Sequence, residues 1–230
     1  MSATCHDVPA LPAPPPADAP TPPQTASARL IGTMTFAGAV AGLLIVLVFQ
    51  WAQPRIAAHQ AQVLGAAVQE VLAAPARTER LWIVGGRLSP TLPAGADSAR
   101  TERVWAGYDA AGRRVGFAVL GAEAGFADVV TVIFGYEPAS KRVLGMKVLD
   151  NKETPGLGDR IVKDTAFGAG FHGRAAPLAG VKRGAGKGAA NEVDMITGAT
   201  ISSRTVIGII NHRVERVAPL LEAWTRERRP

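Results

Sequence analysis

Residues 194–203 read DMITGATISS and stand directly before a long stretch with helical periodicity. Apolar residues between positions 201 and 224 recur at three- and four-residue steps, which predicts a helix there. Gly198 and Ala199 then leave room beside Thr200, where the helix begins. Free backbone N–H groups and the positive end of the helix dipole favour a phosphate at such a position. The alternative is an ordinary N-cap, with the hydroxyl of Thr197 or Thr200 bonded to the first turn.

A second segment, DNKETPGLG at residues 150–158, follows a predicted strand. Pro155 fixes its own φ, and Gly156 and Gly158 permit positive φ. The segment is therefore a defined turn in which the backbone can approach a ligand closely. The alternative is an ordinary loop between a strand and a helix.

The remaining pattern predicts an α+β fold with a twisted antiparallel sheet flanked by helices. Two pairs of segments rich in β-branched residues flank turn-forming residues and predict hairpins: 103–108 with 114–120, and 128–136 with 142–149. A short helix is expected near 159–167 and an exposed glycine-rich loop at 180–188.

The N-terminal part predicts a tail and a membrane anchor. Residues 1–28 are rich in Pro and Ala, and such a segment is expected to be disordered. Residues 30–51 carry no charge, and a helix of roughly 22 residues spans about 33 Å, enough for the hydrocarbon core. We therefore divide the chain into tail (1–28), single transmembrane anchor (29–53), connecting helix (54–76) and globular domain (77–230).

Composition argues against several other functions. The net charge is +6 over 230 residues, but the basic residues are scattered and aromatic residues are few, so nucleic-acid binding is not expected. Cys5 is the only cysteine, which excludes an internal disulfide, and the four histidines are far apart, which argues against a metal site. Residues 184–188, GAGKG, lack the Ser or Thr that a P-loop needs after its Lys.

The two motifs together resemble the FMN-binding domain shared by the G subunit of the Rnf electron-transport complex and the C subunit of the sodium-pumping NADH:quinone reductase. The attachment motif of that family, Asp-x-x-(Ser/Thr)-Gly-Ala-(Thr/Ser), is matched by Asp194, Thr197, Gly198, Ala199 and Thr200. The turn ETPGLG, typical of the Rnf side, is present at 153–158. The similarity extends from the anchor to the final helix.

The resemblance implies a cofactor and a set of residues that hold it. FMN would be attached covalently, through a phosphoester on Thr200, by a separate flavin transferase that uses FAD. The other expected cofactor-binding residues come from the same two motifs: Asp194, Thr197, Gly198, Ala199, Ser202 and Ser203 from the first, and Glu153, Thr154, Gly156 and Leu157 from the second. No metal and no catalytic residue of the chain's own are expected.

The resemblance also implies a setting. The chain would be a single-pass protein of the bacterial inner membrane, with its flavin domain on the periplasmic side and other subunits of a membrane redox complex as partners. It would pass electrons, and ion translocation would belong to the assembled complex. The alternative is an accessory or assembly subunit of another membrane complex, for example a photosynthetic or quinone-reducing one.

Overall fold

The computed structural model describes residues 27–98 and 100–227. The predicted tail lies outside this part, except for its last two residues, which already belong to a helix. Helix α1 runs from Ser27 to Val71 as one element with Pro54 inside it, so the predicted anchor and connecting helix are continuous in secondary structure. Within the described residues the chain divides into two units, one that ends at Arg55 and one that begins at Ile56.

The first unit contains the apolar part of α1. Among the described residues, α1 is the one helix long and apolar enough to cross a membrane. Large apolar side chains along it, such as those of Leu43 and Phe49, are exposed. The guanidinium carbon of Arg55 lies 4.0 Å from the centre of the Trp51 ring, and this pair suits the interface between lipid and water. These features support membrane anchoring.

The second unit is built on a six-stranded sheet with the order β2-β1-β3-β4-β5-β6. Every neighbouring pair of strands is antiparallel. The strands are β1 (Arg77–Val84), β2 (Arg87–Ser89), β3 (Arg103–Tyr108), β4 (Arg114–Ala124), β5 (Val129–Glu137) and β6 (Arg142–Asp150). Both predicted hairpins, β3 with β4 and β5 with β6, are confirmed.

Helices cover both faces of this sheet. Because side chains alternate along a strand, Val104 and Ala106 of β3 join the core formed with α4 (Thr200–Glu227). Trp105 points to the other face and packs with Val68 and Val71 from the last turns of α1. The sheet is therefore buried on both sides, and the predicted α+β fold is confirmed.

The chain between the sheet and α4 is more structured than the sequence predicts. The expected short helix at 159–167 is present as two pieces, α2 (Arg160–Lys163) and α3 (Thr165–Ala169). The expected glycine-rich loop begins with a strand, β7 (Ala179–Lys182), which pairs in parallel with β8 (Glu192–Met195). Strand β8 leads within a few residues to the start of α4, and so positions the DMITGATISS segment.

Candidate functional site

The start of α4 is fixed by backbone turns and by a buried serine. Gly198 has a φ of +86°, a conformation that glycine adopts without strain, and Ala199 donates its N–H to the Ile196 carbonyl at 3.1 Å. The hydroxyl of Ser203, which is fully buried, accepts the Ile196 N–H at 3.1 Å. Ser203 thus joins the first turn of α4 to the end of β8.

Thr200 is the first residue of α4 and is exposed. Within the described residues its hydroxyl makes no hydrogen bond, and the same holds for Thr197. Neither threonine therefore acts as an N-cap, which was the alternative that the sequence left open. The Thr200 hydroxyl is free for chemistry at the positive end of a 28-residue helix.

Glu153 is the central side chain beneath the site. It is only 5% exposed, yet its carboxylate is fully engaged. One oxygen accepts the N–H groups of Phe126 (2.8 Å) and Ala127 (3.2 Å). The other oxygen accepts the hydroxyl of Ser202 at 2.9 Å. A buried carboxylate with three donors is well satisfied, and it ties together the turn after β4, the turn after β6 and the start of α4.

The backbone passes so close to this carboxylate that two glycines are required. A Cβ at Gly158 would lie 2.4 Å from one Glu153 oxygen and 2.9 Å from the Ser202 hydroxyl. A Cβ at Gly125 would lie 2.2 Å from the other carboxylate oxygen. Glycine at these two positions therefore allows the backbone to pack closely around Glu153.

Further interactions hold the ETPGLG turn and join it to the other motif. Gly156, with a φ of +80°, donates its N–H to Asp159 at 2.7 Å. Asp159 also pairs with Lys163, and the hydrogen bond from the Lys163 ammonium lowers the pKa of Asp159 from its ordinary value. Arg160 donates to the Thr197 carbonyl at 2.8 Å, so that the two motifs are joined directly.

Between the two motifs lies an open cleft of about 330 Å³. Three large apolar side chains stand exposed around it: Phe126 (67% exposed), Leu157 (55%) and Ile201 (52%). Exposed apolar groups of this size beside a free hydroxyl are features of a ligand-binding surface. The cleft is lined by Phe126, Glu153, Thr154, Leu157, Gly158, Gly198, Ala199, Thr200, Ile201 and Ser202.

Seven of the eleven residues predicted from the sequence line this cleft. Four do not. Gly156 shapes the turn, Thr197 presents its carbonyl to Arg160, and Ser203 supports the helix start. Asp194 is exposed on β8 and lines a separate groove with the glycine-rich loop 184–188.

Sequence reasoning missed three residues of the cleft. Gly158 and Ile201 lie within or directly beside the two motifs, and the spacing of the motifs could have indicated them. Phe126 comes from the turn after β4, and its place is set by a bond to Glu153, 27 residues further along the chain. A single sequence carries no signal for that pairing.

The residues present fit an FMN group. The free Thr200 hydroxyl and the unpaired N–H groups of the first turn suit a phosphate. Gly198 and Ala199 leave space beside it, and the exposed side chains of Phe126, Leu157 and Ile201 suit a tricyclic ring. Apart from the fully bonded carboxylate of Glu153, the cleft lining carries no charged side chain.

A family model and several known proteins are similar to this chain. Residues 125–215 match the family model of the FMN-binding domain. The G subunit of an ion-translocating oxidoreductase complex from Methanosarcina acetivorans is 27% identical over 190 residues, 83% of this chain and 94% of the relative. The corresponding protein from Aliivibrio fischeri is 34% identical over 91 residues, 39% of this chain and 43% of the relative.

Two solved structures share the fold. The crystal structure of Shewanella oneidensis NqrC has a TM-score of 0.62 at 18% identity, and covers 72% of this chain and 99% of its own. The C subunit of the Na⁺-translocating NADH-quinone reductase from Parabacteroides distasonis has a TM-score of 0.51 at 20% identity, and covers 62% and 77%. All eleven predicted site residues lie within the matched domain. The resemblance is confirmed: residues 125–215 match the FMN-binding domain, and the chain is similar over most of its length to the G subunit of an ion-translocating oxidoreductase complex.

Proposed function

We propose that this chain is a membrane-anchored electron carrier that holds FMN through a phosphoester on Thr200, within a membrane redox complex like the ion-translocating oxidoreductases of its relatives. The observation that carries the proposal is the Thr200 hydroxyl. It stands exposed and without a protein partner among the described residues, at the start of α4 and beside a cleft rimmed by exposed apolar side chains. Bound FMN supplies reversible oxidation and reduction by one or two electrons.

Attachment would be a transfer from FAD catalysed by a separate flavin transferase. The Thr200 oxygen forms a bond to the phosphorus on the FMN side of the pyrophosphate. The bond from that phosphorus to the bridging oxygen breaks, AMP leaves with that oxygen, and the hydroxyl proton is released. The free, exposed position of Thr200 supports this role because the transferase must reach the hydroxyl.

Other residues of the chain would position the group. The first-turn N–H groups of α4 would hold the phosphate on Thr200 and stabilise its charge. The ring would find apolar contacts with Phe126, Leu157 and Ile201. The hydrogen bonds of Glu153 with Phe126 and Ser202 hold the two sides of the cleft together. Ser203 keeps the start of α4 against β8.

A covalent tether suits the proposed location, on the periplasmic side of a bacterial inner membrane. A dissociable flavin with a Kd near 1 nM, about −12 kcal/mol, leaves its site empty when free flavin falls far below that concentration. A phosphoester prevents that loss and keeps the local flavin concentration high. The apolar segment of α1 supports attachment to the membrane.

Variants at the two threonines test the proposal. Each full-length variant is co-expressed with a flavin transferase, denatured, and examined for flavin fluorescence in the protein band. We expect Thr200→Ala to lose the signal, Thr200→Ser to retain part of it because a hydroxyl remains, and Thr197→Ala to retain more than Thr200→Ala. A Thr200→Ala protein that stays fluorescent after denaturation would contradict the proposal. A wild-type protein without flavin would instead favour an assembly role.

A further inference from the structure

A second groove, which shares no lining residue with the cleft beside Thr200, lies between the last turns of α1 and strands β1 and β3. It measures about 900 Å³, and all of its lining residues belong to residues 56–230. The helix contributes small and apolar side chains, among them Ala57, Ala61, Leu64 and Val68. The proposed function assigns no role to this groove.

The sheet side of the groove carries two arginines and two tryptophans in a crossed arrangement. Arg80 on β1 is directly opposite Trp105 on β3, and Trp82 is directly opposite Arg103. Along each strand the arginine also stacks on the tryptophan two residues away, with 5.8 Å between guanidinium carbon and ring centre in both cases. Stacking leaves the guanidinium N–H groups at the edge available for an anion.

The charge of this groove is entirely positive. Its lining contains Arg80 and Arg103 but no aspartate or glutamate. Among the described residues neither arginine has an ion pair, although Arg103 donates a long hydrogen bond to the Ser98 carbonyl (3.5 Å). Trp82 and Trp105 are each less than 10% exposed and form an apolar floor. An anionic head group with an apolar body complements such a groove.

The position of the groove in the chain indicates the source of that ligand. Ala57 follows Trp51, at the end of the apolar segment, by six residues, which is about 9 Å of helix. The head-group region adds about 5–7 Å on each side of the hydrocarbon core. The groove lining therefore begins close in sequence to the predicted membrane segment, and an anionic phospholipid is the ligand of this chemistry that a membrane surface supplies.

We propose that this groove binds an anionic phospholipid, with its phosphate on Arg80 and Arg103 and its apolar part against Trp82, Trp105 and α1. The inference rests on the proposed membrane anchoring but not on flavin attachment. Each basic residue near an anionic lipid contributes about fivefold to binding, so that loss of both arginines should weaken lipid retention by about 25-fold.

Native mass spectrometry of the full-length chain in detergent provides the test. The protein is titrated with phosphatidylglycerol or with phosphatidylcholine of the same acyl chains. We expect preferential retention of phosphatidylglycerol, reduced at least tenfold in Arg80→Gln/Arg103→Gln. The matched control, Arg204→Gln/Arg226→Gln, removes two exposed arginines from α4, on the opposite face of the sheet, and should retain lipid like the wild type.

A second variant changes the space in the groove without changing its charge. Gly65 lines the groove, and a Cβ there would meet no atom within 4 Å. Gly65→Leu should fill the groove with both arginines still present, and leucine is the better helix former. We expect reduced lipid retention without a loss of thermal stability in the absence of lipid.

Three results would overturn the inference: equal retention of the two lipids, unchanged retention in both groove variants, or an equal loss in the control. When the protein is co-expressed with a flavin transferase, its mass also reports the flavin adduct. Loss of lipid preference with the adduct present would refute this inference alone, whereas an absent adduct with lipid preference intact would refute only the proposed flavin attachment.

Discussion

At the scale of single residues, Glu153 holds together the walls of the cleft beside Thr200. The resemblance implied that Glu153 binds the cofactor, but in the structure its carboxylate is turned inward, onto Phe126, Ala127 and Ser202. Its main contribution is thus to hold the cleft walls together. The sequence indicated that Glu153 matters but not its partners, because Ser202 is 49 residues away.

Removing this carboxylate should destabilise the domain. Glu153→Ala leaves two backbone N–H groups and a hydroxyl without their acceptor, and we expect a loss of about 2–4 kcal/mol in the free energy of unfolding. Ser202→Ala removes only one donor and should lose about 1 kcal/mol. Chemical unfolding of the detergent-solubilised full chain measures both. Equal, small losses would show that Glu153 does not clamp the cleft walls.

Gly158 provides a second prediction at this scale. Its missing Cβ would overlap the Glu153 carboxylate at 2.4 Å, so Gly158→Ala should cost about 1–3 kcal/mol. Gly168 is a matched control because it lies in α3, and a Cβ there meets no atom within 4 Å. Gly168→Ala should be neutral or stabilise by about 0.5–1 kcal/mol. The comparison fails if both alanines have the same effect on unfolding.

At the scale of elements, the hairpins were predictable and the parallel pair was not. The turns at 109–112 and 137–141 are encoded locally, by turn-forming residues between β-branched runs. By contrast, β7 and β8 are four residues each and are separated by a glycine-rich loop. Their pairing depends on tertiary packing, which local composition does not report. Helix α4 was predicted well because its apolar residues keep the helical period over many turns.

The cap of α3 allows a prediction about pH. Asp164 accepts the Phe167 N–H at 3.1 Å and pairs with Arg183, and the hydrogen bond from Phe167 lowers the pKa of Asp164. A lowered pKa in the folded state means that the ionised group stabilises the fold above the ordinary value of about 3.9. That stability is lost as the pH falls through the lowered value.

We therefore expect Asp164→Ala to destabilise the domain by about 1 kcal/mol at pH 7, as for a typical N-cap. The difference from wild type should shrink as the pH approaches 2. Asp164→Asn keeps a neutral acceptor and should lose less at pH 7. Thermal unfolding from pH 7 to pH 2 tests this, and a difference that stays constant across the range would count against the assigned cap.

At the scale of the whole molecule, the sequence predicted a membrane segment followed by an α+β domain. The structure confirms the α+β domain and has an apolar helix long enough to cross a membrane among the described residues. The boundary between anchor and connecting helix is not visible as a break, because α1 continues through Pro54 to Val71. The cleft could not be assembled from sequence alone. The cleft is formed by the turn after β4, the turn after β6 and the start of α4. These three segments come together only in the folded domain.

Membrane attachment is testable on the full chain. Leu43 and Leu47 lie on one face of α1 and are 60% and 53% exposed. Arginine near the centre of a membrane helix costs about 2.5–3.5 kcal/mol per residue. We expect Leu43→Arg/Leu47→Arg to shift the protein from the carbonate-washed membrane pellet to the supernatant, whereas His59→Arg, outside the apolar segment, should stay in the pellet. Release of the wild type by carbonate would argue against a transmembrane anchor.

The most direct test of the central claim is peptide mass spectrometry of the full-length protein, co-expressed with a flavin transferase, denatured and digested with trypsin. Cleavage after Lys187 and Arg204 releases residues 188–204, which contain Thr197 and Thr200 together with Ser202 and Ser203. We predict an added mass equal to FMN less one water on this peptide, located on Thr200 by fragmentation. An unmodified peptide, or the same mass on another hydroxyl, would contradict the account.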